Sequence, residues 1–203
     1  MNTTATRAPE DTRRKIVRAA FEEFYRNGFQ GGSLNHIVDL AGTTKGALFH
    51  HFEGKNELGY AVVEEVIEPH LKEVWFDPLA NSIDPIEDLK RIIQGFVKER
   101  VGTGRLEKGC PLNNLAQEMS PLDEGFRQRI EKVYTKWRDC LEAAFVRGIK
   151  AGNVRKNISP RNVAAFIVAA EAGMIGTAKN SQSVELMRQA GGAFFDYLDS
   201  LKH

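Results

Sequence analysis

The stretch from Ala41 to Lys55 carries the side chains with the clearest binding chemistry in this chain of 203 residues. It holds Lys45, the adjacent pair His50 and His51, and a second lysine at its end. Ammonium and imidazole groups donate hydrogen bonds to phosphate oxygens, and a lysine can also donate to O6 and N7 of guanine. Their grouping predicts a contact with nucleic acid, and a solvated charged surface is the simpler alternative.

Two short helices must position these donors. Apolar residues recur at helical spacing at Leu34, Ile37, Val38 and Ala41. This periodicity predicts one helix, which Ser33 can cap and which Gly42 can end because glycine tolerates a positive φ. Thr43 or Thr44 can cap the next helix, which Gly54 limits to about two turns. This is the helix-turn-helix pattern, whose second helix enters the DNA major groove; two packed helices with no partner would show the same spacing.

The side chains of this segment suit different DNA contacts. Lys45 is the predicted reader of base edges, and Gly46 lets the helix approach those edges closely. The ring of Phe49 can contact a thymine methyl group or pack on the first helix. Hydroxyl groups, lysines and helix N-terminal amides hold phosphates. The predicted DNA-binding residues are Ser33, Thr43, Thr44, Lys45, Gly46, Phe49, His50, His51 and Lys55.

Catalytic and metal chemistry find no matching pattern. His50 and His51 are adjacent in a predicted helix, so their side chains diverge by about 100°. No cysteine or carboxylate stands at a ligand spacing from them. The sequence also has no Ser-His-acid grouping and no glycine-rich phosphate loop after a strand. We therefore expect no enzyme, no metal site and no cofactor.

Composition places few limits on the partner and more on the compartment. The 28 basic and 27 acidic residues nearly balance, so the chain as a whole is not a basic nucleic-acid binder. No run approaches the roughly 18 apolar residues that a membrane helix needs, and the N-terminus lacks the apolar core of a signal peptide. Two cysteines without a targeting signal suit a reducing compartment. We expect a cytoplasmic protein with no membrane partner.

Three segments in order resemble the TetR-type (tetracycline-repressor-like) transcriptional regulators. They are Thr12–Phe29 with its Gly-Phe ending, Ile37–Gly42, and Lys45–Leu58. Together they cover about residues 10 to 60. Where the family usually has tyrosine, this chain has Phe49, so the hydroxyl that would reach a phosphate is missing and only the apolar contact of the ring carries over.

The helical periodicity and the resemblance together predict an all-α fold. No segment alternates with a period of two residues. We predict a flexible arm at residues 1–9, a three-helix DNA-binding head with the helix-turn-helix at 10–55, and a six-helix C-terminal ligand-sensing and dimerisation domain at 56–203. Predicted helix starts are Asp11 or Thr12, Asn56, Pro85, Ser120–Pro121, Ser159 and Ser183. Pro69 interrupts the fourth helix, so we predict a kink near residues 65–68.

Small residues line one face of the eighth predicted helix at Ala165, Ala169, Gly173 and Gly176. Such a face lets another backbone come close, either within one chain or between two. A helix-turn-helix protein often binds two half-sites as a dimer. The resemblance also implies a homodimer, with helices 8 and 9 of two subunits forming a four-helix bundle.

The predicted ligand-binding residues are Phe96, Cys110, Met119, Tyr134 and Trp137. An aromatic stripe at helical spacing is more often core than pocket, and it is the resemblance to ligand-sensing regulators that favours a pocket. The Cys110 thiol would precede a helix beside Lys108, where a thiolate is favoured. The segment Gly109–Glu118 resembles one subgroup of the family in which some members sense electrophiles or oxidants through a cysteine near this place. An unreactive thiol filling a turn is the alternative.

The resemblance implies a DNA-binding transcriptional regulator, most simply a repressor. Such a protein would bind a palindromic double-stranded DNA operator as a homodimer and leave it when a small-molecule effector binds. Two other functions are open from the residues alone. One is a redox- or electrophile-sensing regulator that acts through Cys110, and the other is a helical binding module with no DNA partner.

Overall fold

The described part of the chain is helical, as the sequence periodicity predicts. The computed structural model describes residues 7–103 and 106–203. Within these ranges the only extended pairing is a single bridge between Val154 and Lys202. None of the described helices is both long enough and apolar enough to cross a membrane. The prediction of an all-α fold is confirmed.

The helices are labelled in chain order. They are α1 (Arg7–Asn27), α2 (Leu34–Ala41), α3 (Lys45–His51), α4 (Lys55–Val62), α5 (Glu68–Leu71), α6 (Asp77–Leu79), α7 (Pro85–Thr103), α8 (Pro111–Met119), α9 (Glu124–Ala151), α10 (Pro160–Ser181) and α11 (Val184–Asp199). A 3-10 turn covers Leu106–Lys108. Helices α4 to α6 follow one another without a break, and we call this continuous helical segment of residues 55–79 the rod. With the rod counted as one helix, the described ranges hold the nine predicted helices.

The rod contains two π-helical segments, Val63–Ile67 and Lys72–Phe76. Pro69 lacks an N–H, and in a regular α-helix its ring would clash with the carbonyl of Glu65. In the first π-helical segment the backbone N–H of Glu68 bonds to the carbonyl of Val63 instead. The sequence predicts a kink near residues 65–68, and the structure has a π-helical segment there, which is one of the usual causes of kinks in helices.

The chain divides into two compact units. The first is Met1–Pro69 with Asn114–Ile130, and the second is His70–Asn113 with Glu131–His203. This division differs from the predicted boundary at residue 56. Aromatic packing explains the difference, because the Phe126 ring lies 4.7 Å from that of Phe29 and 4.9 Å from that of Tyr60. These contacts join α4 and the start of α9 to the first three helices.

Several helix starts differ from their predicted positions. Residues 1–6 of the predicted arm lie outside the described residues. Residues 7–9 belong to α1, because a proline such as Pro9 is tolerated in the first turn of a helix. The rod begins at Lys55, and Asn56 donates to the Asp123 carboxylate at 3.0 Å instead of capping. Helix α9 begins at Glu124 rather than at Ser120–Pro121, because Asp123 accepts the backbone N–H of Phe126 at 2.8 Å. The predicted starts at Pro85, Ser159 and Ser183 are confirmed.

Two groups of contacts stabilise the second unit. The buried rings of Trp75 and Trp137 lie 4.8 Å apart at its centre. At its surface Lys202 pairs with Glu87 at 2.7 Å and with Asp199 at 2.6 Å, and the Arg155 N–H donates to the Leu201 carbonyl at 3.0 Å. The last residues of the chain are therefore fixed to α7 and to the loop before α10.

Candidate DNA-binding interface

Local capping interactions build the turn between α2 and α3. Ser33 accepts the backbone N–H of His36 at the start of α2, and Thr44 accepts that of Ala47 at the start of α3. Between them Gly42 adopts the left-handed conformation with φ 61°, which favours glycine. The predicted glycine turn and both caps are confirmed, with Thr44 rather than Thr43 capping α3.

Helix α3 presents one face inward and one face outward. Leu48 and, just after the helix, Phe52 are buried. Lys45, Gly46 and His50 are exposed, and the ring of Phe49 is 53% exposed. A Cβ added at Gly46 would meet nothing closer than the Thr44 hydroxyl at 3.8 Å, so no packing within the protein requires glycine there. The exposed face therefore offers a lysine, an imidazole and an apolar ring to an external partner.

The two histidines of α3 differ in their surroundings. His50 is exposed and His51 is half-buried, and their rings meet edge to face with centroids 5.1 Å apart. Burial, helped by the charges of His50 and Arg13, lowers the pKa of His51 below its ordinary value. His51 therefore favours the neutral form, which leaves His50 as the better placed of the two for a phosphate.

Lys55 occupies a different place from the one predicted. Its Nζ donates to the Gln30 carbonyl at 3.0 Å and lies 5.1 Å from the centre of the Phe29 ring. Burial also lowers the pKa of its half-buried ammonium group. Lys55 thus holds the loop between α1 and α2, and we leave it out of the DNA-binding interface.

Two residues that position the interface were missed by the sequence reasoning. Glu118 on α8 accepts the backbone N–H groups of Phe29 and Gln30, each at 2.8 Å. Arg13 on α1 forms two hydrogen bonds with Glu65, at 2.5 and 2.6 Å, and its guanidinium lies 5.0 Å from the centre of the Phe52 ring. No local pattern could have indicated these pairs, because their members are 52 to 89 positions apart.

The five predicted ligand-binding residues are divided between the two units. Met119 belongs to the first unit, and the other four belong to the second. The Tyr134 hydroxyl lies 3.5 Å from Oδ1 of Asn113, and burial, followed by the charge of Cys110, raises the pKa of Tyr134 well above its ordinary value. Trp137 is buried, and its Nε1 has no hydrogen-bond partner among the described residues. Phe96 and Cys110 are half-buried.

The predicted dimer residues lie on the outer side of α10, with one exception. Ala165, Ala169 and Gly173 are exposed, and a Cβ added at Gly173 would meet nothing within 4 Å. Gly176 is half-buried, and a Cβ there would lie 3.9 Å from the Asn113 amide. An open groove of about 400 Å³ runs between α10 and α11, and of the four predicted residues it includes only Gly173. Its walls are mostly apolar and include Phe166, Met174, Leu186, Met187 and Tyr197.

Among the described residues no group of three His, Cys, Asp or Glu side chains could hold a metal ion. The outward-facing α3, fixed by a capped helix and a left-handed glycine, defines a helix-turn-helix DNA-binding protein.

Comparison with known proteins places this class in one family. Residues 16–62 match the family model described as bacterial regulatory proteins, tetR family. Residues 85–194 match the model described as tetracyclin repressor-like, C-terminal domain. Because the second match alone spans more than half of the chain, the protein belongs to the TetR family, and it is a DNA-binding transcriptional regulator. This finding sets aside the alternative of a helical module with no DNA partner.

Individual relatives agree with this placement. The chain is 23% identical over 186 residues to the HTH-type transcriptional repressor DhaR of Mycobacterium sp. (strain GP1), covering 92% of this chain and 91% of that protein. It is 31% identical over 133 residues to the HTH-type transcriptional regulator LmrA of Bacillus subtilis (strain 168), covering 65% and 70%. A TetR transcriptional regulator from Chloroflexus aurantiacus J-10-FL shares the fold with a TM-score of 0.83, at 22% identity over 97% of this chain and 98% of that one.

Proposed function

We propose that the protein is a repressor that binds a palindromic operator as a homodimer and releases it when a small-molecule effector binds. The observation that carries this proposal is the outer face of α3, where Lys45 and Phe49 are exposed while the buried Leu48 anchors the helix. We assign DNA binding to residues 10–55, and binding of the effector and of the second subunit to residues 56–203.

Base reading is assigned to two side chains of α3. Lys45 on the first turn donates to guanine O6 and N7, and the Phe49 ring contacts a thymine methyl group. Phe49 has no hydroxyl, so it reads an apolar feature and adds no phosphate bond. His50, Ser33 and Thr43, with the first amides of α2 and α3, contact backbone phosphates and fix the register of the protein on the duplex.

The partner we assign to the α10 and α11 surface is a second copy of this chain. Its supports are the small exposed residues Ala165, Ala169 and Gly173 and the exposed apolar side chains beside them, with Phe166 48% and Leu186 36% exposed. Apolar surface of this kind marks an interaction site. Two helix-turn-helix heads related by a two-fold axis would match the symmetry of a palindromic operator.

The effector site is assigned to the second unit, near Trp137 and Tyr134. The buried Nε1–H of Trp137 has no acceptor among the described residues, and leaving such a donor unpaired costs about 1–3 kcal/mol. An effector with an apolar body and one hydrogen-bond acceptor would satisfy this donor. For an effector to release the operator, it needs only to bind the DNA-incompetent state of the protein more tightly than the DNA-competent state.

The test of DNA binding compares two lysine variants of equal net charge. A DNase footprint of the promoter beside the protein's own gene supplies the operator duplex. Lys45→Ala should weaken binding by about 1–3 kcal/mol and relax the preference at one base pair of each half-site. Lys132→Ala removes an exposed lysine from α9 in the second unit and should leave both unchanged. Equal binding and equal base preference in the Lys45 variant would remove Lys45 from the interface.

A second candidate function is electrophile sensing through Cys110. The observation that favours it is the half-buried Cys110 directly before α8, whose charge adds to burial in raising the pKa of Tyr134. Cys140 is a poor candidate, because burial raises the pKa of its thiol. In this alternative the Cys110 thiolate would add to an electrophilic carbon and form a thioether. Operator release by N-ethylmaleimide that persists in Cys110→Ser would exclude it.

A further inference from the structure

A buried carboxylate lies beneath the first helix of the helix-turn-helix. Glu23 on α1 is 3% exposed. Its Oε1 accepts the backbone N–H of Ser33 at 2.9 Å, and its Oε2 lies 2.6 Å from Nδ1 of His36. One carboxylate thus holds both the residue that caps α2 and the first-turn histidine of α2. Neither Glu23 nor His36 belongs to the predicted DNA-binding set.

The carboxylate remains charged in the fold. Burial alone would raise the pKa of Glu23, but hydrogen bonds from Ser33, His36 and Asn27 outweigh burial and leave the pKa below its ordinary value. A carboxylate only accepts hydrogen bonds, so Nδ1 of His36 must carry the hydrogen. Nε2 is then the nitrogen that can face outward. It is an acceptor in the neutral ring and a donor in the protonated ring.

The position of His36 on the first helix of the helix-turn-helix suits a contact with a DNA backbone. The first helix of a helix-turn-helix crosses the phosphate backbone while the second enters the groove. Ile37 and Val38 form the buried face of α2, and the His36 side chain remains 46% exposed on the other face. The imidazole is therefore held through Nδ1 by Glu23 and is partly open to solvent.

The charges around His36 make its protonation state matter. The charged group that faces His36 from α1 is Glu23, and the other ionisable residues of α2 and of the adjoining α3 are Asp39, Lys45, His50 and His51. Asp39 follows His36 by three positions on the exposed face of α2 and repels a phosphate. A neutral His36 leaves that repulsion in place, whereas a protonated ring offsets it and supplies an N–H donor.

We propose that His36 is a proton-dependent phosphate contact, in which Nε2–H of the protonated ring donates to an operator phosphate while Glu23 holds the ring through Nδ1. The proposal rests on the proposed function, since it requires an operator. His36 contacts the ligand and Glu23 is a positioning residue. Because the contact forms only with a protonated ring, operator binding takes up a proton at this site and strengthens as the pH falls.

The experiment measures operator affinity against KCl concentration at pH 6 and at pH 8. Each neutralised phosphate adds about −0.9 to the slope of log K against log salt. The wild-type slope should be steeper at pH 6 than at pH 8 by about one contact per subunit, or about 1.8 for the homodimer, and each contact should raise the affinity about tenfold at a fixed salt concentration. His36→Gln, which keeps a donor for Glu23 but never carries a charge, should remove that part of the difference. His70→Gln is the matched control, because it changes an exposed histidine of α5 outside the proposed interface and should leave the pH difference unchanged.

Two further variants separate a phosphate contact from a merely structural role. His36→Arg, which is charged at both pH values, should keep the steep slope at pH 8. Glu23→Gln should lower the affinity at pH 6 more than at pH 8. A purely structural His36 would lower the affinity of His36→Gln equally at both pH values with no change of slope, and that result overturns the proposal. An unchanged pH difference in His36→Gln also overturns it, and if that variant fails to fold, the slope of His36→Arg at pH 8 decides.

Failure of this proposal is distinguishable from failure of the proposed function. If the wild type binds the operator and Lys45→Ala weakens binding, but the His36 variants behave as the wild type does, only the histidine contact is wrong. If neither the wild type nor any variant prefers the operator over random duplex DNA, the assignment of α3 as the reading helix fails with it.

Discussion

Glu118 accepts a hydrogen bond from the backbone N–H of Phe29 at 2.8 Å, across 89 positions of sequence. The same carboxylate also binds the next N–H, and Lys55 binds the carbonyl of that next residue from the other side. The loop between α1 and α2 is therefore held by one residue of α8 and one of α4. Since α2 starts a few residues later, these bonds set the position from which the helix-turn-helix begins.

Removing this carboxylate should loosen the loop. Hydrogen bonds to charged groups contribute about 1.5–3 kcal/mol each, and solvent weakens the exposed bond to Gln30 to about 0–1 kcal/mol, so Glu118→Ala should lower the free energy of unfolding by about 2–4 kcal/mol. Glu118→Gln keeps one acceptor and should lose about half as much. Urea denaturation followed by circular dichroism measures both, and Gln117→Ala, at the exposed neighbouring position, is the control. A Glu118→Ala variant as stable as this control would contradict the structural role.

Two helical glycines should respond in opposite ways to alanine. At Gly59 a Cβ would lie 2.5 Å from the Phe126 ring and 2.6 Å from the Phe29 ring, so Gly59→Ala should cost about 1–3 kcal/mol through overpacking. At Gly95 on α7 a Cβ meets nothing within 4 Å, so Gly95→Ala should be stabilising by about 0.5–1 kcal/mol. Thermal unfolding of the two variants measures the difference, and equal shifts in Tm would disprove the close approach at Gly59.

The cap of α9 should give a stability contribution that depends on pH. Hydrogen bonds from Tyr60 and from the Phe126 N–H lower the pKa of Asp123 below its ordinary value of 3.8. A carboxylate with a depressed folded-state pKa stabilises fully above its unfolded pKa, and this stabilisation disappears as the pH falls through the folded value. Asp123→Ala should therefore cost about 0.5–2 kcal/mol at pH 7, and the difference from the wild type should shrink below about pH 4. A constant difference between pH 7 and pH 3 would mean that charge plays no part.

A bulky charge on the outer face of α10 should separate the proposed dimer. Ala169→Arg places a guanidinium where the proposed second subunit would approach, so sedimentation velocity should show a dimer for the wild type and a monomer for the variant. Operator affinity should fall by more than tenfold, because one half-site is then bound without the other. Ala143→Arg on α9, also at an exposed helical alanine, is the control. If Ala169→Arg is still a dimer, the interface between the subunits must lie elsewhere.

Interactions between close neighbours in sequence could be predicted, and those between distant ones could not. Ser33, Gly42 and Thr44 were predicted as caps and turn because each acts on a backbone group within a few residues. Pro69 indicated a distortion for the same reason, although only the structure shows that it takes the form of a π-helical turn.

Lys55 illustrates the opposite case. Its place at the end of the recognition segment suited a phosphate contact, but its partner, the Gln30 carbonyl, lies 25 positions away and left no signal in the sequence. The start of α9 was misplaced because Ser120–Pro121 is a standard helix opening. The actual cap is Asp123, whose carboxylate also accepts hydrogen bonds from Tyr60 and Asn56 of α4. The periodicity of a helix is therefore readable along the chain, while the residues that fix one helix against another are not.

The two tryptophans of this sequence, Trp75 and Trp137, both lie in the second unit with their rings 4.8 Å apart. Excitation near 295 nm therefore yields light from a single buried pair, and no tryptophan of the first unit adds to the signal. Intrinsic emission can serve as a label-free optical reporter for screening effectors, since a molecule that docks beside Trp137 should quench or shift it. Operator duplexes, which we propose bind at α3, should leave the same spectrum largely unaltered.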